Sequence, residues 1–292
     1  MAIVSPFGTP ARQLRVRGEK RSHLGKKYSL VEDRRRNVLF VSPYPTAAET
    51  RAFYAGRYSG DTATESDYSG SERKAIAQLS GMKAYLARNR VRPASLLDVA
   101  CGSGYFVDVA LREGFDGFGF DFESSGIESA VRNFPHLRDR LIAGTISDVD
   151  LPRDSFATIT ILDALEHMLD PIANLRAVNN LLQRRGLLFI QSIYYDNGFP
   201  ETDSFTDPQS GKSLLGWPAF SQNHSWEHVM IYSIKGMAYV LEEAGFMLNG
   251  VFKTAGHSCP IVVAQKAKRG QVHTARQRVI AEYHQFDVGP RS

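Results

Sequence analysis

Four carboxylates and three histidines carry the first chemical signal in this chain. In "LLDVACGSGYFVDVALREGF" (Leu96 to Phe115) an apolar run ends on Asp98, then turns through Gly102 and Gly104 into an amphipathic stretch. A second apolar run, "GFGFD", ends on Asp121. Further on, "ILDALEH" supplies Asp163, Glu166 and His167, and "NHSWEH" supplies His224 and His228. Glycine at a strand-to-helix turn lets backbone approach a ligand with no Cβ in the way. Carboxylates at the ends of neighbouring strands attract positive charge and accept hydrogen bonds from a ribose diol. Histidine takes up a proton near neutral pH.

The glycine turn is not built for a dinucleotide. That fingerprint is G-x-G-x-x-G/A, whereas Gly102 and Gly104 are followed by Val107 at the third position. Asp98 is also a poor neighbour for a pyrophosphate. S-adenosylmethionine matches better, because it lacks phosphate but carries an ammonium, a sulfonium and a ribose diol. Asp121 is then the ribose ligand, with a helix N-cap as its structural alternative.

These residues need a frame. Strands are expected at Ser95–Val99, Gly117–Asp121, Arg140–Ala143, Thr158–Leu162 and Gly186–Ser192. Helices are expected between them at Tyr105–Glu113, Glu123–Asn133 and Pro171–Arg184, the last buried through Ile172, Leu175, Val178 and Leu182. A helix (Ile234–Ala244) and two strands (Leu248–Lys253, Pro260–Lys266) follow. Such alternation implies an α/β fold, a Rossmann-like doubly wound, mostly parallel sheet with helices on both faces. Ahead of it, residues 1–27 read as a basic, irregular arm. Residues 28–94 read as an N-terminal module: two short strands, the second at Val38–Val41, and a helix opened by Thr46 with Glu49 at the capping-box spacing. A polar linker (Ser59–Ser71) then leads to a helix over Glu72–Arg90 with Ile76, Leu79, Met82 and Leu86 inward. The long segment 195–228, with Trp217, Phe220 and Trp226, reads as an acceptor lid inserted in domain 95–266, and 267–292 as a basic tail.

At these residues the chain resembles the class I S-adenosylmethionine-dependent methyltransferases. "LLDVACGSG", "GFGFD", "DLPRDSFATITILDALEHMLDP" and "RRGLLFIQS" are similar to that family's glycine, acidic, fourth-strand and fifth-strand motifs. The resemblance implies a seven-stranded sheet ending in an antiparallel hairpin, and cofactor contacts from Asp98, Ala100, Gly102, Gly104, Asp121, Phe122, Thr145 and Asp163. Ala100 stands where the family's first glycine is usual, and Thr145 where an aspartate often meets the adenine. A narrower resemblance links "KKYSLVEDRRRNVLFVSPYPTAAETRAFYAGRY" to the N-terminal module of some bacterial methyltransferases, including sugar C-methyltransferases. In those, cysteine pairs bind zinc where this chain has "EDRRRN", so no metal is expected there. Tyr54 and Tyr58 lie on the implied lid, and Tyr58 joins the expected cofactor contacts. "WEHVMIYS" resembles the "HEH" segment of the sugar enzymes, which makes His228 the expected general base and gives His167 a pocket-shaping role. No metal is expected at the site on this reading. A second resemblance, of Asp163, Glu166, His167 and His228 to the divalent-metal set of small-RNA 3′-end methyltransferases, implies the alternative of a metal-assisted RNA enzyme.

Charge weighs on the choice. The chain is 292 residues long with a net charge of +4. Residues 1–36 hold ten Lys or Arg against three Asp or Glu, and 266–292 hold six against two, so the middle of the chain is acidic. Nucleic-acid enzymes need a basic groove at the site, so a small-molecule acceptor is expected and nucleic acid is not. Two cysteines and short apolar runs point to a reducing, cytoplasmic setting with no membrane partner. A homodimer is compatible with this reading. A third alternative is a cofactor-binding regulatory subunit without catalysis.

Overall fold

Apolar strands that alternate with amphipathic helices must be covered on both faces, and the chain folds that way. The computed structural model describes residues 3–21, 27–54, 65–92, 94–194, 228–254 and 259–267. Strands β1 (Leu14–Arg21), β2 (Lys27–Asp33) and β3 (Val38–Ser42) make an antiparallel meander. The arm expected to be irregular therefore contains a strand. Its sequence, LRVRGEKR, is mostly polar, and what holds it is pairing to β2 along Leu14↔Asp33 to Arg21↔Lys27. Helix α1 (Ala47–Tyr54) opens with the expected capping box: Glu49 N donates to Thr46 Oγ1 at 3.2 Å and Thr46 N donates to Glu49 Oε2 at 2.8 Å.

Helix α2 (Glu65–Arg88) starts earlier than Glu72 and takes in part of the expected linker. Its buried line is Ala75, Leu79, Met82 and Leu86, while Ile76 is 44% exposed. The helix face is rotated so that a small residue, Ala75, meets the sheet.

The main sheet is built from β4 (Ser95–Val99), α3 (Tyr105–Arg112), β5 (Asp116–Asp121), α4 (Ser124–Asn133), β6 (Leu141–Ala143), β7 (Phe156–Leu162), α5 (Pro171–Leu181) and β8 (Leu182–Gln191). After β9 (Met230–Tyr232) come α6 (Ile234–Glu243), β10 (Phe246–Phe252) and β11 (Ile261–Lys266). The seven strands run in the order β10-β11-β8-β7-β4-β5-β6. β11 is antiparallel to both neighbours, and β8, β7, β4, β5 and β6 are parallel. Helix α5 stops at Leu181 rather than Arg184, because Leu182 is already extended and paired with Phe156. One face of the sheet packs on α5 and α6 through Leu175, Val178, Val240 and Leu241. The other packs on α2 and α3 through Leu79, Met82, Phe106 and Val109. The chain leaves β4 toward β5 on one side and later fills β7 on the other, so the crevice lies beyond the carboxyl ends of these strands.

Strand β9 has no counterpart in the sequence reading. It is antiparallel to β3, with Val38 opposite Tyr232, and so completes a four-stranded sheet in the order β1-β2-β3-β9. A chain segment that follows the main parallel strands thus fastens the N-terminal sheet. Next to it, Ser233 Oγ donates to Asn37 O at 2.8 Å and accepts from Gly236 N at 2.7 Å. A Cβ at Gly236 would lie 2.2 Å from Asn37 O, so glycine is required for this close approach.

Candidate cofactor and acceptor site

The loop after β4 takes a left-handed backbone at alternate positions: φ is 61° at Ala100, 50° at Gly102 and 75° at Gly104. Glycine adopts this freely, whereas alanine is strained there by roughly 1–2 kcal/mol. The position where Ala100 departs from the resembled family is therefore a strained one, as site backbones often are. The loop is stitched to β5 by Cys101 N, which donates to Phe120 O at 3.0 Å.

Asp121 sits at the tip of β5, almost fully buried. Gly102 N donates to its Oδ2 at 2.8 Å and Glu123 N to its Oδ1 at 2.9 Å. The N-cap position of α4 is Glu123, so Asp121 is not that cap. Each carboxylate oxygen has a second lone pair, and backbone fixes the direction of both. Burial raises the Asp121 carboxyl, against the two backbone donors that lower it.

Asp98 lies deeper. Thr160 Oγ1 donates to its Oδ1 at 2.6 Å. Burial pushes its carboxyl up to about 7, with Thr160 opposing and Asp121 adding to the rise.

Beyond β7 the chain turns sharply at Asp163, whose φ is 52°. Lys74 Nζ lies 2.7 Å from Asp163 Oδ2, and Gln78 Nε2 donates to the same oxygen at 3.4 Å. A short 3-10 turn, Leu165–His167, follows. Glu166 is 1% exposed and accepts from Ser192 Oγ at 2.8 Å. Burial pushes its carboxyl up to about 8, and Asp163 adds to the rise. Val229 N donates to Glu166 O at 2.9 Å, which draws His228 against the turn. The rings of His167 and His228 end with centroids 4.8 Å apart at 37°. Tyr54 of α1 meets His167 edge-on at 5.9 Å and Phe122 edge-on at 5.3 Å.

These parts line one cavity of about 490 Å³. Of the expected site residues it is lined by Ala100, Asp121, Phe122, Thr145, Asp163, His167 and His228. Asp98, Gly102 and Gly104 shape the loop from behind and do not line it. Tyr58, His224 and the expected lid up to residue 227 fall outside the described residues. Thr145 Oγ1 donates to Asp148 Oδ2 at 2.6 Å and accepts from Ser147 N at 3.3 Å, which fixes its rotamer. The sequence reading missed Thr50 and Arg51, which roof the cavity from α1 beside Tyr54. Their spacing on one face of a capped helix was the available signal.

The fold defines a class, the doubly wound α/β proteins with a mostly parallel seven-stranded sheet, here with Asp98 and Asp121 on neighbouring strand ends. The methyltransferase domain family model matches residues 71–249, more than half of the chain. The chain belongs to that family, and its cofactor is S-adenosylmethionine. The residues present fit that group, because Asp121 offers two carboxylate oxygens oriented by backbone donors, and Asp121, Asp163 and Asp170 line a crevice that suits a cation. A curated relative, a ubiquinone biosynthesis O-methyltransferase of Neisseria meningitidis serogroup C, is 27% identical over 110 residues. That match spans 35% of this chain and 45% of the relative, less than half of its length. Among solved structures, the PH0226 protein of Pyrococcus horikoshii aligns with TM-score 0.51 at 16% identity, over 74% of this chain and 98% of that one. A chain from the complex of the Haloferax volcanii Trm112 methyltransferase activator with its methyltransferase aligns with TM-score 0.51 at 17% identity, over 75% and 98%. Both attest the fold. Among the described residues, no helix is long and apolar enough to cross a membrane.

Proposed function

We propose that the chain transfers the methyl group of S-adenosylmethionine to an oxygen of a small-molecule acceptor. The observation that carries this is a cavity beneath α1 that both Asp121 and His228 line. Its volume lies in the range of small-molecule sites. The oxygen-directed activity named for the ubiquinone relative supports the same acceptor atom.

In this reading Asp121 takes the ribose hydroxyls, Phe122 and Thr145 flank the base, and the Ala100–Gly104 loop holds the amino-acid end. Asp98 supports that loop electrostatically from behind. The acceptor enters between α1 and the 3-10 turn, with segment 195–228 as its cover. When bound, the cofactor supplies a carbon with a good leaving group, so alignment provides much of the rate. The acceptor proton is handled at the cluster of Glu166, His167 and His228 rather than by His228 in isolation, since the two imidazoles touch. The acidic middle of the chain disfavours RNA as acceptor. The cysteine count suits a cytoplasmic enzyme.

The test is release of S-adenosylhomocysteine from S-adenosylmethionine with a panel of hydroxylated small molecules. Product that depends on the acceptor and carries a new methoxy group supports the reading. Tight cofactor binding with no product from any acceptor class, RNA included, would replace it with the non-catalytic subunit.

A further inference from the structure

The roof of the cavity carries a charge that the cofactor leaves unused. Ala47, Thr50, Arg51 and Tyr54 line the cavity from α1. Their spacing, i, i+3, i+4 and i+7, puts them on one helical face. Both ends of that face are fixed. Tyr44 Oη donates to Leu169 O at 3.0 Å, which seats the start of α1 over Leu169. Tyr54, at the other end, meets Phe122 and His167 edge-on. Arg51 is exposed and stands one turn back from Tyr54, toward the end seated on Leu169.

Charge sets Arg51 apart. Among the described residues that line the cavity, Asp121, Asp163 and Asp170 are the carboxylates, and Arg51 alone carries a permanent positive charge. Each carboxylate has a partner of its own. Backbone donors hold Asp121, Lys74 pairs with Asp163 at 2.7 Å, and Asp170 caps α5 by accepting from Ala173 N at 2.9 Å. Arg51 has no ion pair or hydrogen bond among the described residues. Its neighbour Thr50 donates its hydroxyl proton to Thr46 O at 3.1 Å. The donors left open on the α1 face are therefore those of the Arg51 guanidinium. The cofactor has one anion, the carboxylate of its amino-acid end, and in the reading above that end belongs to the Ala100–Gly104 loop. Arg51 stands instead where the acceptor enters.

We propose that Arg51 recognises a carboxylate on the acceptor, so that the acceptor is a hydroxylated carboxylic acid with its hydroxyl at the His167–His228 pair. This rests on the methyltransferase reading above. A guanidinium takes a carboxylate through two parallel N–H···O bonds, which fix orientation as well as affinity. Residues three apart on a helix have Cβ atoms about 5–6 Å from each other. Arg51 thus anchors its partner about one ring's width from the contact of Tyr54 with His167. A small body, such as one six-membered ring, spans guanidinium to imidazole, along a wall that includes Ala47, Met168 and Leu169. The carboxylate takes no part in the transfer. The hydroxyl oxygen bonds to the methyl carbon as the carbon–sulfur bond breaks, and its proton leaves through the imidazole pair to water. A methyl ether, S-adenosylhomocysteine and one proton result, with no change in oxidation state.

The test is binding of matched probes to the full chain saturated with S-adenosylhomocysteine, read by ligand-observed NMR titration. The probes are 4-hydroxybenzoate against 4-hydroxybenzamide, and 4-hydroxycinnamate against its amide. In at least one pair the carboxylate should bind about tenfold more tightly, the worth of a hydrogen bond to a charged group, and added salt should narrow the gap. Arg51→Gln should abolish the preference and Arg51→Lys should keep part of it, with melting temperature and S-adenosylhomocysteine affinity kept in both. Equal affinities in both pairs, failure of all four probes to bind, or a preference that survives Arg51→Gln overturns the proposal. A fall in S-adenosylhomocysteine affinity in Arg51→Gln would overturn it as well, by giving Arg51 to the cofactor's own carboxylate. Carboxylate binding that needs Arg51, with no methyl transfer to any acceptor, would support the anion site and sink the methyltransferase reading. Methyl transfer whose acceptor KM is the same in wild type and Arg51→Gln would do the reverse.

Discussion

His167 and His228 lie far apart in the chain, yet their imidazoles meet on the wall of the cavity with centroids 4.8 Å apart, tilted by 37°. His228→Gln should therefore lower turnover by about 10²–10⁴-fold, the usual share of proton handling, and leave the cofactor dissociation constant within about twofold. Single-turnover methyl transfer across pH 5–9 checks this. Wild-type rate and pH profile in the variant would make His228 a structural anchor.

Asp121 is held by two backbone donors and presents its remaining lone pairs to the cavity. Asp121→Ala should weaken cofactor binding by roughly 1.5–3 kcal/mol, the worth of a hydrogen bond to a charged group. Asp121→Asn keeps one acceptor and should fall between. Calorimetric titration of folded variants is the measurement, and equal affinities would remove Asp121 from the ribose.

Asp98 should make the free protein's stability depend on pH. Its folded carboxyl titrates at about 7, raised from 3.8 chiefly by burial, with Asp121 adding and Thr160 opposing. A raised folded value means that the folded state holds the proton longer than the unfolded state. Stability relative to Asp98→Asn should be highest below about pH 4 and fall as pH rises to about 7. Cofactor carries positive charge and favours the carboxylate, so binding near pH 6 should release protons. Urea titrations across pH, and binding heats in buffers of different ionisation enthalpy, read the two effects. Heats that do not vary with buffer would mean that Asp98 is not coupled to the ligand.

Gly236 packs the first turn of α6 onto the Asn37 carbonyl. Gly236→Ala should destabilise the fold by about 1–3 kcal/mol, the usual cost of overpacking, although alanine is the better helix former. Denaturant midpoints test it. A midpoint equal to or above wild type would show that the contact has room to give.

Read alone, the residues from Ser95 onward determine the alternating strands and helices, the paired acidic strand ends and the cofactor class. Those signals are local: periodicity, capping and a turn that lacks the third glycine. The same local logic misplaced the start of α2, and also the end of α5, where pairing of Leu182 with Phe156 in the sheet outweighs helix propensity. It could not see β1 or β9, because a short or polar strand is stabilised by its partner and not by its own pattern. Nor could it choose among Asp163, Glu166, His167 and His228. That choice belongs to tertiary structure, in which Lys74 from α2 takes Asp163 and the Val229–Glu166 hydrogen bond gathers the other three. Contacts between distant segments leave no period in a single sequence, so only the fold decides them.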